Sequence, residues 1–262
     1  MNSQKIIGKR RFSLLMTIFG FVFLYLPIAI LVIMSFNDAR QGVAWNGFTL
    51  KWYSELFKNG DIWKAFWSTA WIAFTSAAIA TVIGTFTAIG FYWRKGKFKR
   101  IGSITILSPL IFPDILMGIS LLIFFIALKF PLGYPTILIA HITFCISYVA
   151  IVVNSRLEDF DYSIIEAARD LGAKNMQVIL KVIIPSVFPA IIAAFLLSVT
   201  LSVDDFVITF FVTGPGATTL PLQIYSMIKM GVSPIINALS TILLVLTLFV
   251  SFLGVKFQKF IF

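Results

Sequence analysis

The chain has 262 residues, 59% hydrophobic and 12% charged, about half the roughly 25% charge of a soluble domain. That composition excludes a water-soluble globule and implies an all-α integral membrane protein, because helices satisfy their own backbone in lipid. The net charge of +10 raises nucleic-acid binding as a reading, but the basic residues are sorted by loop, which argues against it.

Charge-free windows of about 20 residues mark bilayer helices. The first, Phe12–Phe36, follows the basic stretch "KIIGKRR". It is longer than the roughly 7–15 residues of a signal-peptide core and lacks a small-residue cleavage site, so it is expected to be a retained span. Further windows are Ala65–Trp93, Ile101–Leu128 (interrupted only by Asp114) and Phe130–Ser155. Ser186–Val203, running on past Asp204 and Asp205 to residue 213, makes the fifth, and Gly231–Val255 the sixth. The expectation is one domain over 1–262 with six transmembrane helices.

Six spans put both termini on one side. That side carries Lys5, Lys9, Arg10, Arg11, Arg94, Lys95, Lys97, Lys99, Arg100, Arg156, Arg169, Lys174, Lys181, Lys256 and Lys259. The other carries only Arg40, Lys51, Lys58, Lys64, Lys129 and Lys229. Positive charge accumulates in cytoplasmic loops, so both termini and the segment 156–185 are expected in the cytoplasm.

Within that segment, "IIEAARDLGAKNMQVILKVIIP" mixes charges and apolar residues at helical spacing. Ser163 and Glu166 fit a capping box, and Ile164, Ala168 and Leu171 form a stripe at i, i+4 and i+7. Gly172 suits the left-handed position that stops a helix. The resulting helix of about eight residues is too short to stand alone in water, so something must pack on it. An interfacial helix lying on the membrane is the alternative, but the stripe is narrow and lacks large aromatic residues. A second helical run, Asn175–Ile184, leads through Pro185 into the fifth span.

Glu166, Ala167, Ala168, a glycine four residues on (Gly172) and a proline thirteen beyond it (Pro185) resemble the EAA signature of ABC importer permeases. "LSPLIFPDILMGISLLIFF", "AHITFCISYVAIVVNSRLEDFD" and "LSVDDFVITFFVTGPGATTLPLQIYSMIKM" resemble the permeases of spermidine/putrescine importers, as do "YLPIAILVIMSFN" and "GFTLKWYSELF". The resemblance implies the type I importer permease fold in a bacterial inner membrane. It further implies a second permease subunit, a pair of ATPase subunits and a periplasmic polyamine-binding protein. In such a machine residues 166–172 dock into the ATPase and couple ATP hydrolysis to transport. The same machine carrying another small cation or metabolite is the alternative; a membrane enzyme or ion-coupled carrier is a more distant one.

No phosphate-cradling G-x-x-x-x-G-K-[ST] loop occurs, so ATP and Mg are expected on the partner, with no cofactor on this chain and no catalytic set. His141 and Cys145 lie at i, i+4 on one helix face, but two ligands do not make a metal site, and Cys145 reads as a small buried hydrophobe.

The remaining signal is acid inside the spans. Ionisable residues there are costly and line pathways or interiors. Asp114 falls about 20 Å along its span and Asp204 about 28 Å beyond Pro185, which predicts two levels of negative charge. Asp114, Asp204 and Asp205 are the candidates for contact with a cationic substrate, with Phe206, Phe210 and Phe211 as nearby aromatic faces. The competing role is structural: an aspartate beside Pro113, or at an irregular turn in span five, can satisfy freed backbone N–H groups.

Overall fold

Apolar stretches with no water to bond must close their hydrogen bonds within one segment, and the computed structural model is helical accordingly. It describes residues 3–39, 44–93, 97–231 and 233–261; Arg40, Arg94 and Lys95, counted above among the loop cations, lie outside them. The first helices are α1 (Ser3–Met34), α2 (Lys51–Lys58), α3 (Gly60–Trp93), α4 (Lys97–Ile111) and α5 (Asp114–Ala127). Then come α6 (Tyr134–Glu158), α7 (Ser163–Asp170), α8 (Asn175–Val178) and, after a π-helical turn over Ile179–Ile183, α9 (Ile184–Asp204). The last are α10 (Val207–Val212), α11 (Leu220–Lys229) and α12 (Pro234–Ile261).

Among the described residues four helices are long and apolar enough to cross a membrane: Phe12–Met34, Gly60–Trp93, Tyr134–Glu158 and Asn175–Asp204. The stretch Ile101–Ile111 with Asp114–Ala127 is a fifth if a bent pair counts as one span, and the apolar Pro234–Phe249 is shorter. Every expected span therefore finds helix, but the third and fifth depart from continuous rods. The third bends by 110° between α4 and α5. Pro113 has no N–H to continue the ladder and disfavours helical backbone at Phe112. The fifth breaks at Asp205, whose backbone is extended (φ −63°, ψ 120°).

The second helical run does lead into the fifth span. Pro185 does not separate two helices; it lies in the first turn of α9, continuous with α8 through the π turn. Proline cannot donate to the carbonyl four residues back and crowds it. The widened turn, in which Ile184 N–H reaches the Ile179 carbonyl, accommodates that loss.

The chain divides into two units. In Met1–Trp63 with Ile224–Phe262, α12 packs on α1 and α2. The turn after α1 is organised by the buried Asn37, whose Nδ2 donates to the Ala44 carbonyl (2.7 Å) while Oδ1 accepts from Asn46 N–H (2.8 Å). Trp52 Nε1 donates to the Asn37 carbonyl (2.7 Å), tying α2 to that turn.

In Lys64–Gln223, α6 is the central helix, flanked by α9, α4 and α10. Helix α3 approaches it closely, since a Cβ at Gly84 would stand 2.7 Å from the Val149 side chain. Without a hydrophobic drive between helices in lipid, small residues at such contacts allow close packing; Ala73, Ala77, Ala80 and Ala88 are buried on α3. One core cluster joins Val149, Val153 and Leu157 of α6 to Ile165, Val178, Ile183 and Val187, and this cluster seats α7.

Candidate functional site

Helix α7 is one of two places where function-bearing residues gather. It has the expected eight residues, Ser163–Asp170, but not the expected cap. Ser163 is already helical, and its N–H donates to Asp161 Oδ1 (2.9 Å). No side chain caps the N-terminus itself, so the Ser163–Glu166 capping box is not formed. The aspartate two residues upstream has taken the donor, as Asx turns do. That bond from the Ser163 backbone, then one from its hydroxyl, holds the Asp161 carboxyl below its ordinary range.

The inward face differs too. Ile165 is the fully buried residue (0% exposed), with Ala168 packed against the same cluster. Ile164 and Leu171 face outward, Leu171 at 89% exposure. Of the expected stripe only Ala168 turns inward, because Ile165 meets Leu157 and Val178 at the base of α6 and α8. Burying an isoleucine contributes about 1.5–3 kcal/mol, enough to hold a helix that cannot hold itself.

The stop is as expected. Gly172 has φ +83°, its N–H bonds the Arg169 carbonyl (2.8 Å), and Ala173 N–H bonds that of Ala168 (3.0 Å). This is a Schellman motif, with glycine at its left-handed position. Glu166 and Ala167 lie on the exposed side with Ile164 and Leu171.

The second gathering is a cavity of about 290 Å³ in the Lys64–Gln223 unit. Asp114, Asp204 and Asp205 all line it, with Phe144, Tyr148 and Phe206. Two levels of charge were expected; one site is found. Straight spans would have separated the acids, but Asp114 starts α5 just after the bend and Asp204 ends α9 just before the break. Of the three phenylalanines expected nearby, Phe206 lines the cavity; the Phe210 ring lies tilted against it with centroids 5.6 Å apart, and Phe211 packs where a Cβ on Gly118 would fall.

The three carboxylates are not equivalent. Asp205 accepts from Thr209 N–H (2.9 Å), Thr209 Oγ1 (2.6 Å) and, more weakly, Ile208 N–H (3.3 Å). Its Oδ2 also lies 3.3 Å from His141 Nε2. Asp205 thus closes the start of α10, the structural role weighed above. Asp114 and Asp204 are exposed to the cavity, and neither carboxylate meets a hydrogen-bond donor of another described residue.

His141 is buried (1% exposed) with both ring nitrogens engaged. Nδ1 lies 2.6 Å from Ser202 Oγ and Nε2 2.9 Å from Thr209 Oγ1. Cys145, one turn on, instead directs its Sγ at the Ser198 carbonyl (3.7 Å). The sequence pointed to no site role for His141 or Tyr148. Their helical spacing with Phe144 and Cys145 (i, i+3, i+4 and i+7 from His141) was the signal, and it does not say which helix they meet.

The family model "Binding-protein-dependent transport system inner membrane component" matches residues 80–261. The spermidine/putrescine transport system permease protein PotC of Escherichia coli (strain K12) is 47% identical over 228 residues, 87% of this chain and 86% of that protein. The putrescine transport system permease protein PotI of the same strain is 41% identical over 252 residues, 93% of this chain and 89% of that one. Among solved structures, a bacterial ABC transporter involved in import of the acidic polysaccharide alginate superposes with TM-score 0.74 at 18% identity, covering 98% of each chain. The MetNI methionine ABC transporter gives 0.64 at 22%, covering 74% of this chain and 93% of that one. With half of its length and more matched by the family model, and long-range identity far above that of shared fold alone, the chain belongs to the family of binding-protein-dependent transport system inner membrane components.

Proposed function

We propose that this chain is a permease subunit of an ATP-driven importer of polyamines such as spermidine and putrescine. The observation that carries this is the cavity lined by Asp114 and Asp204, whose carboxylates meet no donor of another described residue, beside the aromatic faces of Phe144, Tyr148 and Phe206. Carboxylates and aromatic faces together suit ammonium groups on an alkyl chain. The names of the relatives that are 47% and 41% identical over 228 and 252 residues support the same substrate class. Fold alone does not choose it, since a transporter of an acidic polysaccharide shares the architecture.

In this reading the chain sits in the bacterial inner membrane with both termini in the cytoplasm and forms half of the translocation pathway with a second permease subunit. A pair of ATPase subunits docks on the exposed side of α7, at Ile164, Glu166, Ala167 and Leu171; ATP and Mg belong to those subunits. A periplasmic polyamine-binding protein delivers substrate from the other side. ATPase closure moves α7, the spans rock, and the cavity faces alternately outward and inward.

The deciding measurement is uptake of labelled spermidine into vesicles holding the full complex. Uptake that requires ATP on the ATPase side is expected. A complex that hydrolyses ATP but takes up a different small cation would favour the alternative substrate. Orientation is tested separately: in a Cys145→Ser background, Asn59→Cys and Ala217→Cys react with an impermeant thiol reagent from the periplasm, and Lys174→Cys does not.

A further inference from the structure

The hydrogen bonds around His141 have a direction, because each hydroxyl has a single hydrogen to give. Ser76 Oγ donates to the Ala73 carbonyl (3.2 Å), so toward Ser202 Oγ (3.2 Å) it can only accept. Ser202 therefore gives its hydrogen to Ser76 and can only accept from His141 Nδ1 (2.6 Å). At the other end Thr209 Oγ1 gives its hydrogen to Asp205 Oδ2 (2.6 Å). It can then only accept from His141 Nε2 (2.9 Å). Both ring nitrogens must carry hydrogen for all five bonds to stand, and an imidazole with both is a cation.

The surroundings support a charge here. Ser76, His141, Ser202 and Thr209 are all buried, at 0–2% exposure. A buried cation persists only when paired, and Asp205 lies 3.3 Å from Nε2. The chain of bonds crosses four helices: α3 through Ser76, α6 through His141, α9 through Ser202 and α10 through Thr209. It closes around the two residues, Asp205 and Phe206, that separate α9 from α10.

We propose that His141 is a doubly protonated positioning residue that neutralises Asp205 and pins the break after α9. Asp114 and Asp204 are thereby left as the two carboxylates offered to a substrate bearing at least two amino groups. The second half of this statement rests on the polyamine reading above; the first does not. Asp205 then acts on transport through the backbone it holds rather than through the substrate. The cavity keeps two uncompensated negative charges instead of three.

The test is a double-substitution cycle on the full chain, made together with its complex: His141→Gln, Asp205→Asn and the two combined. Removing one member of a buried pair strands the other charge, while removing both does not. Each single change is expected to lower the melting midpoint of the purified complex by about 10 °C and to reduce its accumulation in the membrane. The double substitution should recover most of both. Additive losses, or a double variant that fails to accumulate, would overturn the ion pair. So would two single variants as stable as the parent.

Substrate affinity supplies the second arm. Per assembled complex, Asp205→Asn should keep KM for spermidine within about threefold of the parent, while Asp204→Asn raises it tenfold or more. An equal rise in both would place Asp205 against the substrate and overturn the two-carboxylate assignment. Failure of the parent complex to import any polyamine would sink the substrate reading, and with it the assignment of Asp114 and Asp204 to amines. The stability cycle needs no substrate and would still decide the pair.

Discussion

Helix α7 and the break after Asp204 each interrupt the run of long helices, and they do it by opposite means. At α7 the backbone does the work: a Schellman motif on Gly172 turns the chain, one buried isoleucine anchors it, and the polar side chains are left outside. At the break the side chains do the work. Asp205 replaces the missing ladder partners, and hydroxyls and an imidazole enclose it. A backbone stop leaves a surface free to meet another protein. A side-chain stop buries its polar groups and shapes a cavity from what remains.

The contrast can be broken most severely at Gly172. Valine there must adopt φ +83°, an outlier conformation for a β-branched residue, although nothing lies within 4 Å of its Cβ. Uptake should be lost while the protein still enters the membrane, because strain and not collision is the cause. Gly172→Asn, which tolerates the left-handed region better, should retain part of the activity. Equal failure of both, or normal uptake by Gly172→Val, would show that the turn is not what aims α7.

Next in size is the cavity. Asp114→Asn and Asp204→Asn remove charge but little volume, and a charge-assisted bond contributes about 1.5–3 kcal/mol. Uptake at low substrate should fall about tenfold or more in each, with complex yield and basal ATPase activity retained. If asparagine is mild and leucine at the same sites blocks assembly, these acids hold helices and the cation path runs elsewhere.

Smaller effects separate the two faces of α7. Ile165→Ala should lower stability by about 2–4 kcal/mol, read as reduced accumulation. Leu171→Ala and Glu166→Ala should leave accumulation unchanged and weaken only association with the ATPase, since both side chains are exposed and neither caps the helix among the described residues. A loss of helix stability in Glu166→Ala would restore the capping box that Asp161 has displaced.

The smallest effect is expected at Asp161. Its carboxyl is held below the ordinary range by Ser163, so its contribution is present above the unfolded carboxylate pKa of about 4 and fades as pH falls through the lowered value. Asp161→Ala should remove that contribution and loosen the entry to α7 slightly at neutral pH. Its effect on ATPase association should vanish in strong acid; one that grew as pH fell would reverse the sign.

Span positions were legible because twenty uncharged residues have few other uses, and Gly172 was legible because a left-handed turn selects glycine. The eight-residue length of α7 followed from the same signals. The inward face of α7 was not: Ile164 and Ile165 are both apolar, and only the position of Leu157 and Val178 decides between them. The breaks were half visible. Pro113 and the Asp204–Asp205 pair mark irregularity, but a 110° bend depends on what α5 packs against, which is α10. The gathering of three acids at one cavity follows from that packing, and no spacing along the chain encodes it.

The π turn at Ile179–Ile183 leaves a trace in the buried stripe of the helix that contains it. Val178, Ile183, Val187, Ala194, Ser198 and Ser202 are all at 0–2% exposure, and the first step of that series is five residues where the others are four or seven. An ordinary helix advances about 100° per residue, so a five-residue step would carry Ile183 well off the inward side. The extra residue in the turn absorbs that rotation and keeps one seam facing α6 from end to end. A one-residue deletion that restored regular winding would therefore swing everything below it, α7 included, by about 100° about the axis of α9. The angular setting of the exposed handle is written into the count of residues between Val178 and Ile183.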